Sequence, residues 1–313
     1  MLDFRKPVVG DRLWVEKIFR GSGSRGCEYS FATLYLWSDI YRQQVAEFEG
    51  DVLERLSGAR GPAYLFPAGR APLRRTLEAL AQDAAQRGQS CRLACVTPEQ
   101  KEQVEAAWPE RFQWELDRDG FDYVYEIGRL AELPGKKLQG KRNHINRFLE
   151  NCPDWTTEEI TEKTLPECAE MDREWNRLCR GRMAAEDAEG ELMNESRALA
   201  LAFANYRALG LTGLLLRVQS RVIAFTIGSP ICEDTFDVHF EKAFGEIPGA
   251  YPMINREFAR FLQKRHPKLR YLNREDDLGL EGLRRSKESY HPDTLIEKYT
   301  GWFAAETVAG GES

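Results

Sequence analysis

Residues 211–273 read LTGLLLRVQSRVIAFTIGSPICEDTFDVHFEKAFGEIPGAYPMINREFARFLQKRHPKLRYLN, and the order of elements within them decides the fold. Three apolar runs, 211–218, 221–231 and 235–244, have the length and β-branched or aromatic content of strands. A tight Gln219-Ser220 turn joins the first two. GEIPGAY (245–251) then breaks the pattern, and a helix starts at Pro252, where the missing N–H of proline is harmless in the first turn. LRYLN (269–273) returns to a strand.

The first half repeats this order. Gln43–Phe48 and Val52–Leu56 read as a hairpin turning at Glu49-Gly50-Asp51, and Ala63–Pro67 as a short strand. A Pro-initiated helix (72–88), a strand (91–96), a helix (98–108) and strands near 112–117 and 121–127 follow. Around the second set lie helices at 135–153, 165–179 and 191–209 and a last strand near Leu295–Phe303. A strand meander followed by α–β–α–β is the element order of the GNAT acyltransferase fold. The predicted class is therefore α+β, with two tandem GNAT-like domains, 1–134 and 135–313, each a mixed sheet flanked by helices.

Composition agrees with a packed protein: of 313 residues 42% are hydrophobic and 11% aromatic. The net charge of −6 argues against a general nucleic-acid coat. MLDFRKPVVGDRLW (1–14) has no signal-like apolar core, and no run approaches about 18 uninterrupted apolar residues, so a cytoplasmic protein without a membrane span is expected. The seven cysteines are scattered. Cys91 and Cys95 have no second pair or His cluster to complete a zinc site, so reduced thiols and no metal are expected.

Four stretches carry residues suited to chemistry. In TFDVHFEKAF, alternation puts Asp237, His239 and Glu241 on one strand face, with Glu241 or His239 a candidate base if that face is covered. The turn holding Gly245, Gly249, Ala250 and Tyr251 either binds a phosphate at the helix N-terminus or needs Gly249 for geometry only. Lys136, Lys137, Lys141, Arg142 and Arg147 reverse the local charge; they form a solvated face or a cradle for CoA phosphates or a tRNA acceptor end. Last, Asn273, Arg274 and Glu275 end a strand, and Asp276 and Asp277 resemble N-caps for a helix over 278–289, so Glu275–Asp277 either work on substrate or only cap that helix. Leu280, Leu283 and Lys287 lie near one another on that helix, and Tyr290 follows it. A cation held there can stabilise an acyl-transfer oxyanion.

Together, EYSFATLYLW (28–37), GKKLQGKRNHINRF (135–148), VIAFTIG (222–228), VHFEKAFGEIPGAYPMINREF (238–258) and YLNREDDLGLEGLRRSKESYHP (271–292) resemble one bacterial family. It is the group related to the C-terminal catalytic domain of phosphatidylglycerol lysyltransferases. The resemblance implies a double-GNAT fold shared with Fem-type aminoacyl transferases. It also implies acyl-CoA or aminoacyl-tRNA as donor, a donor site at Gly245–Tyr251, and Lys287 as the oxyanion-stabilising lysine. This chain departs from the usual GNAT donor loop by carrying Glu246 and Pro248. It also has no counterpart of the multi-span membrane region, which makes a small-molecule or peptide acceptor the expectation. Asn273, Arg274, Glu275 and Tyr290 are the candidate acceptor-binding residues, with no tightly bound cofactor. The rival is a non-catalytic protein of this fold that binds CoA or tRNA.

Overall fold

Gln219 and Ser220 both adopt positive φ (49° and 65°), the handedness that lets a two-residue loop follow the twist of its flanking strands. The hairpin predicted there exists. The computed structural model describes residues 2–58, 60–180 and 186–304, so residues 305–313 of the second expected domain lie outside the described residues. Helices α1 (Arg12–Ser22) and α2 (Phe31–Leu36) come first, α2 capped by the Ser30 hydroxyl. Then come β1 (Gln44–Phe48), β2 (Asp51–Gly58), β3 (Gly61–Leu65), α3 (Leu73–Gln86) and β4 (Arg92–Val96). Helix α4 (Pro98–Ala107) follows, opened by a reciprocal Thr97–Gln100 capping box. After it lie β5 (Phe112–Leu116), β6 (Asp122–Glu126) and α5 (Ile127–Glu132).

The second half holds α6 (Gln139–Asn151), β7 (Thr156–Glu159), α7 (Leu165–Arg180), α8 (Glu186–Ala204), β8 (Thr212–Val218), β9 (Arg221–Pro230) and β10 (Thr235–Ala243). It continues with α9 (Ala250–Arg265), β11 (Tyr271–Asn273), α10 (Glu281–Glu288), β12 (Thr294–Ile296) and β13 (Tyr299–Phe303). Among the described residues there are two mixed sheets flanked by helices. The six-stranded sheet runs β1-β2-β3-β4-β13-β5, and the seven-stranded sheet runs β12-β6-β11-β10-β9-β8-β7.

Each sheet takes a strand from the other half of the chain. β6 pairs with β11 and β12, and β13 inserts between β4 and β5. The last strand, expected as one run, therefore splits in two at Glu297-Lys298. Lys298 explains the crossing point: its ammonium is buried on the carboxylates of Asp122 (2.5 Å) and Glu28, where the two sheets meet. One apolar cluster likewise joins the halves, with Val15 and Tyr125 packed in the same core as Phe225 and Phe258. A smaller one, around Leu53, Leu77 and Val104, underlies the first sheet.

Two details of β10 position the site. It runs parallel to β11 over Thr235–Asp237 only, after which the strands part and leave its later residues without a neighbour on that side. Its register against β9 slips between Val238 and Phe240, so His239 is the extra residue of a β-bulge. Strict alternation therefore fails here: Val238 and His239, adjacent in sequence, both face the same cavity. Gly228 allows the close approach, since a Cβ there would lie 1.9 Å from the carbonyl oxygen of Asp237.

Candidate active site

Where β10 and β11 part, a cavity of about 560 Å³ opens. β10 contributes His239 and Glu241, the turn after β11 contributes Arg274, Glu275 and Asp276, and α10 with its end contributes Lys287 and Tyr290. Lys141 of α6, Tyr251 of α9, Trp37 and Trp175 also line it, as do Glu191, Leu192 and Glu195 of α8. Leu278, Leu280 and Leu283 stand exposed at its rim, while Lys287 on the same segment is buried. The helix there starts later than expected, at Glu281, and its N-cap residue, Leu280, offers no capping side chain. Asp277 closes the preceding turn by accepting from the Gly279 N–H (2.9 Å), and it also holds Arg284 and Tyr123.

The charged groups fall into two sets, those already satisfied and those with capacity left. Glu241 accepts from Arg274 Nη2 (2.9 Å), Asn255 Nδ2 (3.1 Å) and Thr226 Oγ1 (3.4 Å). Lys287 donates to the carbonyl oxygens of Arg274 (2.6 Å), Glu275 (3.1 Å) and Asp276, which uses all three donors of an ammonium. Burial and the nearby Arg274 lower its pKa, against the pull of Asp276. His239 is held between Ser229 Oγ (2.8 Å from Nε2) and Glu275 Oε1 (3.1 Å from Nδ1).

Three groups retain capacity. Arg274 Nη1 is buried without a hydrogen-bond partner among the described residues; burial opposes the charge of Arg274, but Glu241 together with Tyr125 and Tyr290 outweighs it and raises the pKa. Lys141 Nζ lies 3.8 Å over the Tyr290 ring and makes no hydrogen bond or ion pair among the described residues. Burial, reinforced by Arg274, lowers its pKa to about 8. The Asp276 carboxyl group accepts no hydrogen bond among the described residues, and burial raises its pKa to about 7 despite Lys298 and Lys287.

Eight of the expected site residues thus meet around one cavity: His239, Glu241, Lys287, Tyr251, Lys141, Arg274, Glu275 and Tyr290. Five lie outside its wall. Arg142 donates to the carbonyl oxygens of Leu133 and Gly135 (2.8 Å to the latter), tying α6 to the end of α5. Asn273 is fully buried, donating to Asp122 and the Arg25 carbonyl, both at 2.8 Å. Gly245 is exposed, Ala250 is buried, and Gly249 packs against α6 at φ 87°, where a Cβ would lie 2.2 Å from the His144 carbonyl oxygen. The glycine at 249 thus meets the geometric requirement. Sequence reasoning left Asp276 open between a cap and a substrate-facing group, and it missed Trp37 and Trp175, which carried no local signal.

The family described as "Phosphatidylglycerol lysyltransferase, C-terminal" matches residues 19–301. The chain belongs to this family. A crystal structure of a conserved protein of unknown function from Bacteroides thetaiotaomicron VPI-5482 aligns at a TM-score of 0.90 and 38% identity, over 97% of this chain and all of that one. L-PGS from Bacillus licheniformis aligns at a TM-score of 0.63 and 14% identity, over 94% and 92% of the two chains. An uncharacterised protein, MYCGA3080, of Mycoplasmoides gallisepticum (strain R(low / passage 15 / clone 2)) is 25% identical over 179 residues. That match covers 57% of this chain, which spans about half the length of that curated relative. The two mixed sheets are the tandem GNAT-like architecture of the lysyltransferase C-terminal family. Among the described residues, no helix is long and apolar enough to cross a membrane.

Proposed function

We propose that this member of the lysyltransferase C-terminal family transfers an acyl or aminoacyl group from a CoA thioester or a tRNA ester to an amine or hydroxyl acceptor, by direct attack within the cavity. The observation that carries the reading is the pairing of unspent cationic donors, Lys141 Nζ and Arg274 Nη1, with an unbonded carboxyl group, Asp276, around one cavity between parted strands. Acyl transfer needs such a set: positive charge where oxygen becomes negative, and a group that takes the acceptor's proton. Arg274 and Lys141 meet the donor's acyl or phosphate oxygens. Asp276 takes the proton. Glu241 aims Arg274, and Lys287 holds the 274–276 turn in place, so both act through their neighbours. Family membership and the name of the Bacillus licheniformis relative support an aminoacyl donor.

The test incubates the purified chain with radiolabelled lysyl-tRNA or acetyl-CoA, each with a panel of amine and hydroxyl acceptors, and follows label in the acceptor. Transfer from either donor is expected, and Asp276→Asn should lower its kcat by about 10²–10⁴-fold. Saturable donor binding without turnover in any combination would instead favour a binding protein. Absence of both binding and turnover would overturn the reading.

A further inference from the structure

In and just behind the cavity wall lies a group of side chains that the transfer reading leaves unused. Asp237 is fully buried on β10, and His239 of the bulge and Glu275 of the next turn close over it. His239 Nδ1 lies 3.1 Å from Glu275 Oε1 and 3.4 Å from Asp237 Oδ2, and one ligand atom from each residue lies within 4.8 Å of the others. Asp237 Oδ1 is buried with no hydrogen-bond partner among the described residues, and Thr33 Oγ1 lies 3.4 Å from Oδ2. An orphan carboxylate oxygen inside a protein asks for a cation or a proton.

The histidine is prepared for the first of these. When its Nε2–H donates to Ser229 Oγ at 2.8 Å, the Nδ1 lone pair faces the space between the two carboxylates. Metal-ligating imidazoles are fixed in tautomer and direction by an outer hydrogen bond of this kind. We propose that Asp237, His239 and Glu275 bind a divalent first-row transition-metal ion of the Mn²⁺, Fe²⁺ or Zn²⁺ type. One imidazole nitrogen with two carboxylate oxygens suits these ions, whereas Ca²⁺ and Mg²⁺ favour oxygen alone and soft ions favour sulfur. Two carboxylates also match the ion's two charges. His239 and Glu275 line the cavity, so the remaining coordination positions open toward it. The cysteine and histidine spacing suggested no metal because the three ligands come from a bulge and from a turn more than thirty residues later.

The test reads the ion alone, so its outcome is independent of whether the chain transfers an acyl group. The full chain is stripped with chelator and titrated calorimetrically with MnCl₂ and with ZnCl₂ near neutral pH. Saturable one-to-one binding is expected, weakened at least about tenfold by Asp237→Asn and by about 10–100-fold by Ser229→Ala, while His144→Gln leaves it unchanged. Absence of saturable binding overturns the proposal, as does binding that persists undiminished in Asp237→Asn and His239→Ala. If those variants fail to fold, Mn²⁺ is loaded into a chain with His144, His266 and His291 replaced by glutamine. Electron spin echo then decides: an imidazole nitrogen coupling is expected, and its absence rejects the site.

Discussion

Lys141 and Arg274 stand more than a hundred residues apart, on α6 and just after β11, yet both lie over the ring of Tyr290, at 3.8 and 4.9 Å. Two cations on one ring repel each other. Arg274 keeps its charge beside Glu241, so Lys141 yields: burial chiefly, reinforced by Arg274, brings its pKa to about 8. The sign is simple: Lys141 is an ammonium below that value and a neutral amine above it. Affinity for an anionic donor, measured with CoA or lysyl-tRNA, should therefore fall as pH rises from about 7 to about 9. Lys141→Arg keeps its charge throughout, so that variant should show a distinctly smaller fall, the remainder coming from ionisation of Asp276 at about 7 in the same cavity. A slope equal in both proteins would remove Lys141 from the binding site. The run of basic residues from 136 to 147 was visible in sequence, but which of them faces the cavity was not. Lys141 turns toward Tyr290, while its neighbour Arg142 serves the carbonyl oxygens of Leu133 and Gly135.

At the scale of elements, the site depends on how α9 seats against α6. Gly249 begins α9 at a φ of 87°, with the His144 carbonyl oxygen of α6 where a Cβ would stand. Gly249→Ala combines an unfavourable backbone conformation with a clash against backbone. It should cost about 3 kcal/mol in urea denaturation. Because α6 carries Lys141, the same variant should weaken donor binding; a stability change below about 0.5 kcal/mol would show that α6 can shift without harm. Element order and the Gln219-Ser220 hairpin were legible because turns and periodicity are local chemistry. The bulge at His239 was not, since a strand's own sequence does not reveal where its partner slips by one residue.

At the scale of the molecule, the chain's last described strand belongs to its first sheet. β13 pairs with both β4 and β5, and Phe303 packs edge-on against Trp108 and Phe112 at 5.0 and 5.4 Å. A chain ending at Lys298 would leave two unpaired strand edges and an opened aromatic cluster. The first sheet of that truncated chain should lose cooperative unfolding and protease resistance, read by near-UV circular dichroism and limited proteolysis. Unchanged melting would mean that β4 and β5 can close on each other. Arg25 and Asp234 add a further tie between the halves, an ion pair at 2.5 Å.

What the amino-acid sequence determined alone was the element order, hence the α+β class and tandem architecture, together with a pool of charged residues near strand ends. Patterns of period two and 3.6, turn residues and helix starts act within a few positions, so they can be read without a partner. The tertiary structure alone decided which charges remain unspent. Glu241 and Lys287 looked like free catalytic groups, but each meets its partners across gaps of 11 to 33 residues. Asp276, readable as a cap or as a substrate-facing group, has no such partner among the described residues. Burial and long-range pairing determine whether a charge is satisfied, and both arise only when distant segments close around it.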